Sequence, residues 1–253
     1  MVYMKVSTVR KIYPYLCDSI KNRKWRSLTE KELDALMAEK QVISNCYDVA
    51  TRYALLNTKQ GRDCLLKRIK LEDGVENPHC KVIFNINGKN KSYVSCSNTG
   101  TLGDKIASAV EKMIHRNPGQ KPFVSRFGKF GFHRACEFNY PSNTFQWYTD
   151  QKPVSIGERG LNINLKPYKD RVMELLDSAG GDKLKGHAIV VVSGHKAEKV
   201  NGHKRWHCLP VIGIDLKNRI LEIVNKRTDE VISLSFEELI NKFKSIVGVK
   251  LPT

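Results

Sequence analysis

Long apolar runs, paired cysteines and internal repeats are all missing from this sequence, and each absence excludes a class of protein. No run of about 18 apolar residues occurs, so we expect no helix that spans a membrane. The seven cysteines include no Cys-x-x-Cys pair, which argues against a zinc ribbon or a disulfide framework. We interpret them as reduced thiols of an intracellular protein. No EF-hand pattern occurs either, so no calcium site is predicted.

Acidic residues are also few, because 26 Asp and Glu face 43 Lys and Arg and leave a formal charge of +17. Such an excess favours acidic partners, which include nucleic acid, an anionic membrane surface or an acidic protein. A lysine-rich surface that only keeps the protein soluble is the alternative. No RNP, KH, zinc-finger or helix-turn-helix pattern is present, so nucleic acid is neither excluded nor favoured. The sequence does not determine the oligomeric state.

The chain of 253 residues can form one large domain or two tight lobes. We predict a basic N-terminal arm and first helix over 1–34, followed by one domain over 35–253. Within that domain, 35–180 is mainly helical with one β-hairpin, and 181–253 is rich in strands. Helices first and strands last indicate an α+β protein with two lobes and a cleft between them. The N-terminus lacks the apolar centre of a secretory signal, which favours the cytoplasm.

Local patterns place the individual elements. Thr29 and Glu32 form a capping box before a helix, and Asn45 is a good N-cap for a helix that begins at Cys46. Alternation around Asn87-Gly88 predicts a β-hairpin, whereas 120–165 is expected to be mostly loop. Three strand-like runs lie near the C-terminus: "GHAIVVVSG", "RWHCLPVIGIDLKN" and "RILEIVNK". A short strand, "VISLS", and a last helix, "FEELINKFKSIV", follow them.

Cys46 is the candidate nucleophile, because a helix N-terminus and a nearby imidazolium both lower the pKa of a thiol. His187, which opens the strand "HAIVVV", is the predicted base. Asn225 ends a neighbouring strand and would orient the imidazole ring. Gln41, just upstream of Cys46, is the predicted oxyanion stabiliser. His207 also begins a strand and is the best alternative to His187.

A second cluster is made of His195, His203, His207 and Cys208 within the segment "HKAEKVNGHKRWHC". Zinc binding is conceivable from these residue types, but their spacing matches no common zinc site. A solvated connection between two strands explains the segment better. We therefore predict neither a metal nor a cofactor.

Three segments resemble one known family. "QVISNCYDVATRYALL" is similar to the nucleophile helix of the papain-like cysteine peptidases, and most closely to the calpain catalytic core. "LKGHAIVVVSG" resembles the histidine segment of that family, and "ILEIVNKRTDEVISLSFEELINKF" resembles its asparagine strand with the helix that follows. The likeness covers roughly 35–250. In this chain the glutamine is one residue closer to the cysteine, Tyr47 replaces a tryptophan, and "NKRT" replaces an Asn-Pro-Trp-Gly run.

The resemblance implies a papain-like fold and a cysteine protease that hydrolyses peptide or isopeptide bonds in proteins. It assigns Cys46 as nucleophile, His187 as general base and acid, and Asn225 as the ring-orienting residue. Gln41 and the backbone amide of Cys46 would form the oxyanion hole. Two alternatives stay open: a transglutaminase or deamidase with the same Cys-His pair, and a basic binding protein on an inactive peptidase-like fold. Compactness and charge slightly favour an effector delivered into another cell over a housekeeping peptidase.

Overall fold

The computed structural model describes residues 23–40, 46–96, 98–117, 141–157, 167–193 and 207–252. The helices in this part of the chain are α1 Glu30–Ala38, α2 Cys46–Leu56, α3 Lys59–Arg68, α4 Leu102–Arg116, α5 Pro141–Thr149, α6 Tyr168–Ala179 and α7 Phe236–Lys242, with a 3₁₀ turn at Asp182–Gly186. The strands are β1 Trp25–Ser27, β2 Ile69–Glu72, β3 Cys80–Ile86, β4 Lys89–Val94, β5 Val154–Gly157, β6 His187–Ser193, β7 His207–Asp215, β8 Ile220–Asn225, β9 Glu230–Ser235 and β10 Phe243–Lys250.

The strands form two antiparallel sheets. The smaller sheet has the order β1-β2-β3-β4, and the larger has the order β5-β10-β6-β7-β8-β9. β10, near the end of the chain, therefore lies between β5 and β6 inside the larger sheet. This insertion pairs the C-terminal segment with strands that precede it by 50 residues or more.

Helix α2 lies at the centre of the molecule. Eight of its eleven residues are buried, which is the pattern of a helix enclosed on most sides rather than of a surface helix. It packs against β6 and β7 of the larger sheet and against α5. One hydrophobic cluster unites α2 with the smaller sheet and with the near face of the larger sheet. A second cluster covers the opposite face of the larger sheet and includes residues of α6 and α7.

Several sequence predictions are confirmed. Thr29 accepts a hydrogen bond from the Glu32 amide while the Glu32 carboxylate accepts one from Thr29, so the capping box before α1 is present. Asn87 and Gly88 both have positive φ, at 54° and 78°, as a two-residue turn between β3 and β4 requires. The strands β6, β7, β8 and β9 lie where the strand-like runs of the sequence predicted them.

Two predictions about secondary structure are wrong. The last helix ends at Lys242 rather than continuing to Val247, because Ile246, Val247 and Val249 are β-branched residues that fill the position between β5 and β6. The loop expected over 120–165 contains α5, which begins at Pro141, a favourable first helical position, and buries three aromatic rings. Its aromatic and proline content suggested a loop, but packing against α2 and β3 makes it helical.

The mixture of helices with antiparallel sheets confirms the α+β class. Within the described residues, every helix is too short or too polar to cross a lipid bilayer.

Candidate functional site

The candidate site is built at the N-terminus of α2, whose first residue is Cys46, as the sequence predicted. The unpaired amide groups of a first helical turn place partial positive charge there, and this favours an anion such as a thiolate. The Cys46 side chain is half-buried and packs against the central hydrophobic cluster. It therefore combines access from outside with a fixed position.

Two residues at the start of β7 contact the Cys46 thiol. Cys208 donates a hydrogen bond from its own thiol to the Cys46 sulfur, and its backbone amide donates a second. The imidazole of His207 provides a further hydrogen bond and a favourable charge interaction. The Cys208 bond is the largest of the effects that lower the pKa of Cys46 well below the value of an ordinary thiol, and it outweighs the opposite effect of burial. These contacts therefore favour the thiolate form of Cys46.

The proton shared by the two cysteines stays on Cys208. Its pKa is raised well above the usual value, first because its thiol donates to Cys46 and then because it is buried near that negative charge. Cys208 belongs to the central cluster on the α2 side of the sheet. The pair therefore consists of a thiolate, Cys46, and a thiol that is held protonated to stabilise it.

Ser193 holds the His207 backbone at the start of β7. The His207 amide donates to Ser193 Oγ, and the Ser193 hydroxyl donates back to the His207 carbonyl, with both distances 3.2 Å. Ser193 and His207 are register partners at the ends of β6 and β7. The histidine is therefore fixed on regular sheet structure beside the helix N-terminus.

Asn225 lies at the same end of the sheet as His207. Val211 pairs with Ile223, so continuing the antiparallel register by two residues brings Asn225 level with Leu209, one diagonal step from His207. Asn225 is buried, with 2% of its surface exposed, and its Oδ1 accepts a hydrogen bond from the Arg227 amide at 3.1 Å. An amide oxygen has two lone pairs, so this turn bond is compatible with a second donor such as an imidazole N–H.

The structure does not bring His187, the base predicted from the sequence, to Cys46. His187 begins β6 and is six residues from Ser193, so roughly 20 Å of strand separates it from the His207 end. Gly186 beside it lies near Gln60 of α3, at the far end of α2. The His187 ring is hydrogen-bonded to the Leu184 carbonyl, and burial is the main cause of the lowered pKa of His187. These contacts give His187 a structural place in the core.

The sequence offered a signal that would have chosen between the histidines. Both Gly-His-Ala and Trp-His-Cys open strands, but "HCLPVIGI" is followed directly by the strand that ends in Asn225, whereas "HAIVVV" is one strand farther away. In an antiparallel sheet the start of one strand lies at the end of the next. Adjacency in the chain therefore favoured His207 as the partner of Asn225.

Gln41, Asn45, His195 and His203 lie outside the described residues. The oxyanion role predicted for Gln41 and the N-cap role predicted for Asn45 therefore remain predictions. No group of three or more His, Cys, Asp or Glu side chains in the described ranges has the geometry of a metal site.

A buried polar network behind Cys46 was not predicted from the sequence. Asp48, fully buried in the first turn of α2, accepts hydrogen bonds from Tyr148 at 2.9 Å and from Arg52 at 3.0 Å. Burial, followed by the Asp48 charge, raises the pKa of Tyr148 well above its usual value, so the phenol remains a donor. The network ties α2 to α5 and fixes the helix that carries the nucleophile.

Glu39 anchors the chain just before the undescribed segment 41–45. Its carboxylate accepts from the Gly103 amide at 2.8 Å and from the Thr101 hydroxyl at 3.1 Å, at the N-terminus of α4. Burial is the main cause of its raised pKa. The residue that follows α1 is therefore held by the N-terminus of α4.

A pocket of about 410 Å³ lies between α1, α2 and the strands β7, β8 and β9. Lys226 lines it with its ammonium 4.5 Å from the centre of the Tyr53 ring. The same Nζ donates to the Met37 carbonyl at 3.2 Å and to Asp229 at 2.6 Å. This buried lysine stands next to Asn225, and it fastens the β8–β9 turn to α1.

No model of a known protein family matches this chain, and no curated protein is detectably similar to it in sequence. The case for a function therefore depends on the geometry around Cys46.

Proposed function

We propose that the protein is a papain-like cysteine hydrolase that cleaves amide bonds of protein substrates, with Cys46 as nucleophile, His207 as base and Asn225 as the residue that orients His207. The observation that carries the proposal is the contact of the Cys46 thiol with His207 and Cys208 at a helix N-terminus, with the lowered pKa that results. The resemblance to the calpain core supports the same assignment of Cys46 and Asn225, and in this proposal His207 takes the role expected of His187.

The arrangement supports a two-step acyl transfer. The Cys46 thiolate attacks the substrate carbonyl, and the backbone amide at the start of α2 stabilises the developing oxyanion. His207 then gives a proton to the leaving amine, and the C–N bond breaks to leave a thioester on Cys46. Water, deprotonated by His207, then attacks the thioester carbonyl. The C–S bond breaks, the carboxylic acid product leaves, and the Cys46 thiolate is restored. Gln41 would supply a second donor to the oxyanion.

The fold around the site is compatible with this chemistry. A central helix that begins with the nucleophile and packs against an antiparallel sheet carrying the histidine is the arrangement that the resemblance implies. A cleft between a helical and a strand-rich lobe would admit an extended peptide. Substrates rich in acidic residues would be attracted by the charge of +17.

An epoxysuccinyl probe tests the proposal at pH 7. We expect Cys46 to be labelled at least about 10-fold faster than any other cysteine, because each unit of pKa changes the thiolate fraction tenfold. Cys46→Ala should abolish this labelling and the hydrolysis of fluorescently labelled casein.

Cys64→Ala is the matched control, because Cys64 is also half-buried but burial raises the pKa of its thiol. It should leave both readouts unchanged. Labelling of Cys46 at the same rate as Cys64 would contradict the proposal. Fast labelling without cleavage of any protein, but with release of ammonia from glutamine-rich substrates, would instead favour a deamidase.

A further inference from the structure

We propose that Cys46 and Cys208 form a reversible disulfide under peroxide, and that Cys208 protects the nucleophile from irreversible oxidation. The inference goes beyond the proposed function. It needs a reactive Cys46, but it does not need hydrolysis of any substrate.

The two cysteines meet because of tertiary structure. Cys46 begins α2 and Cys208 is the second residue of β7, and α2 packs directly against β7. Both side chains border the same hydrophobic cluster, and the Cys208 thiol is hydrogen-bonded to the Cys46 sulfur. A disulfide has an S–S distance of about 2.05 Å, so sulfurs already in hydrogen-bond contact need to approach by only about 2 Å. Rotation of the two side chains can supply this movement at the first residue of a helix.

Accessibility gives the two thiols different roles. Cys46 is half-buried and ionised, so it can meet a small oxidant, whereas Cys208 is 7% exposed and protonated. Susceptibility to oxidation follows thiolate character and exposure, so peroxide reacts at Cys46 first. Cys208 is then the nearest thiol that can resolve the product.

The first step oxidises Cys46 by two electrons. The thiolate attacks hydrogen peroxide, an S–O bond forms, the O–O bond breaks, and hydroxide leaves and takes a proton to become water. The product is a sulfenic acid. This step removes the thiolate to which the Cys208 thiol donates, and that hydrogen bond is the main cause of the raised pKa of Cys208.

The second step forms the disulfide. Cys208 now loses its proton more readily, and its sulfur attacks the Cys46 sulfur. The S–S bond forms, the S–O bond breaks, and the hydroxide that leaves combines with the proton from Cys208 to give water. Oxidation of the nucleophile therefore ends in a bond that thiols can reduce, rather than in a sulfinic acid.

Peptide mapping of the full chain after brief exposure to hydrogen peroxide tests the inference. In the wild type we expect a Cys46–Cys208 cross-linked peptide, loss of probe labelling at Cys46, and full recovery of labelling with dithiothreitol. In Cys208→Ser, Cys46 should instead be trapped by dimedone as sulfenic acid. With longer exposure it should become sulfinic acid, and dithiothreitol should then fail to restore labelling.

Cys64→Ser is the control and should behave as the wild type. Wild-type protein whose Cys46 becomes sulfinic acid without the cross-link, or links to any other cysteine, would overturn the inference even if Cys208→Ser does not fold. Fast probe labelling without this disulfide would refute the inference and leave the proposed hydrolase intact. If the disulfide forms but the protein cleaves no substrate, the proposed hydrolase is refuted and this inference stands.

Discussion

His207 and His187 stand at opposite ends of two neighbouring antiparallel strands, and His207 is the one that contacts the Cys46 thiol. The separation follows from the pairing of Ser193 with His207, which places the start of β6 far from the start of β7. His187 therefore serves as a control for His207, because it lies on the neighbouring strand but away from the thiol.

The pH dependence of Cys46 alkylation should distinguish these histidines. The lowered pKa means that the thiolate persists to lower pH than that of an ordinary thiol, and it is lost as the pH falls through that lowered value. Alkylation by iodoacetamide should therefore stay fast well below the pH at which ordinary thiols become unreactive. His207→Ala should move the midpoint of the rate profile to higher pH, because it removes a hydrogen bond and a favourable charge.

His187→Ala should leave the midpoint unchanged, provided that circular dichroism shows the variant to be folded. If His187→Ala moves the midpoint and His207→Ala does not, then His187 and not His207 acts on the thiolate.

Asn225 should act on the orientation of His207 rather than on the thiol. We expect Asn225→Ala to slow labelling by an epoxysuccinyl probe on the order of 10- to 100-fold, less than the loss of the nucleophile. Asn225→Asp keeps an oxygen acceptor for the ring and for the Arg227 amide, so it should retain most of the rate. Equal losses in both variants would show that Asn225 serves only the turn that it begins.

Tyr148→Phe should destabilise the protein through Asp48. The change removes one hydrogen bond from a fully buried carboxylate, and a buried polar group that loses its partner costs about 1–3 kcal/mol. Tyr93→Phe is a suitable comparison, because the Tyr93 hydroxyl accepts a hydrogen bond from the neutral Asn117 amide. Its removal should lower the free energy of unfolding by less. Urea unfolding of the two variants measures both values. A smaller loss for Tyr148→Phe than for Tyr93→Phe would contradict the importance of the Asp48 network.

Glu32 should make stability depend on acid pH. Its hydrogen bonds with Arg26, then with Thr29, lower its pKa from 4.5 to about 2. A carboxyl group whose pKa is lowered by folding stabilises the fold at any pH above its pKa in the unfolded chain. That contribution is lost as the pH falls from 4.5 towards 2. Because the pair is partly exposed, we expect Glu32→Gln to cost only about 1 kcal/mol at pH 7.

Thermal unfolding at pH 7 and at pH 2 checks the Glu32 prediction, because the difference between Glu32→Gln and wild type should shrink at the lower pH. Glu237→Gln, at an exposed position in the first turn of α7, is the surface control. A difference that persists at pH 2 would mean that packing rather than charge explains it.

Much of the fold is local and was readable from the sequence. The capping box at Thr29, the Asn87-Gly88 hairpin and the helix that begins at Cys46 depend on neighbouring residues, so short patterns predict them. The order of helices and strands likewise indicated the α+β class. Segments whose structure depends on distant partners were the ones predicted wrongly, namely β10, which fits between two other strands, and α5, which packs on α2 and β3.

The same division applies to the candidate site. The sequence by itself determined that Cys46 starts a helix and that Asn225 ends a strand, because both depend on local periodicity. Only the tertiary structure decided which histidine reaches the thiol and which cysteine stabilises it. Strand register sets those contacts, and register depends on hydrogen bonds between residues that are far apart in the chain.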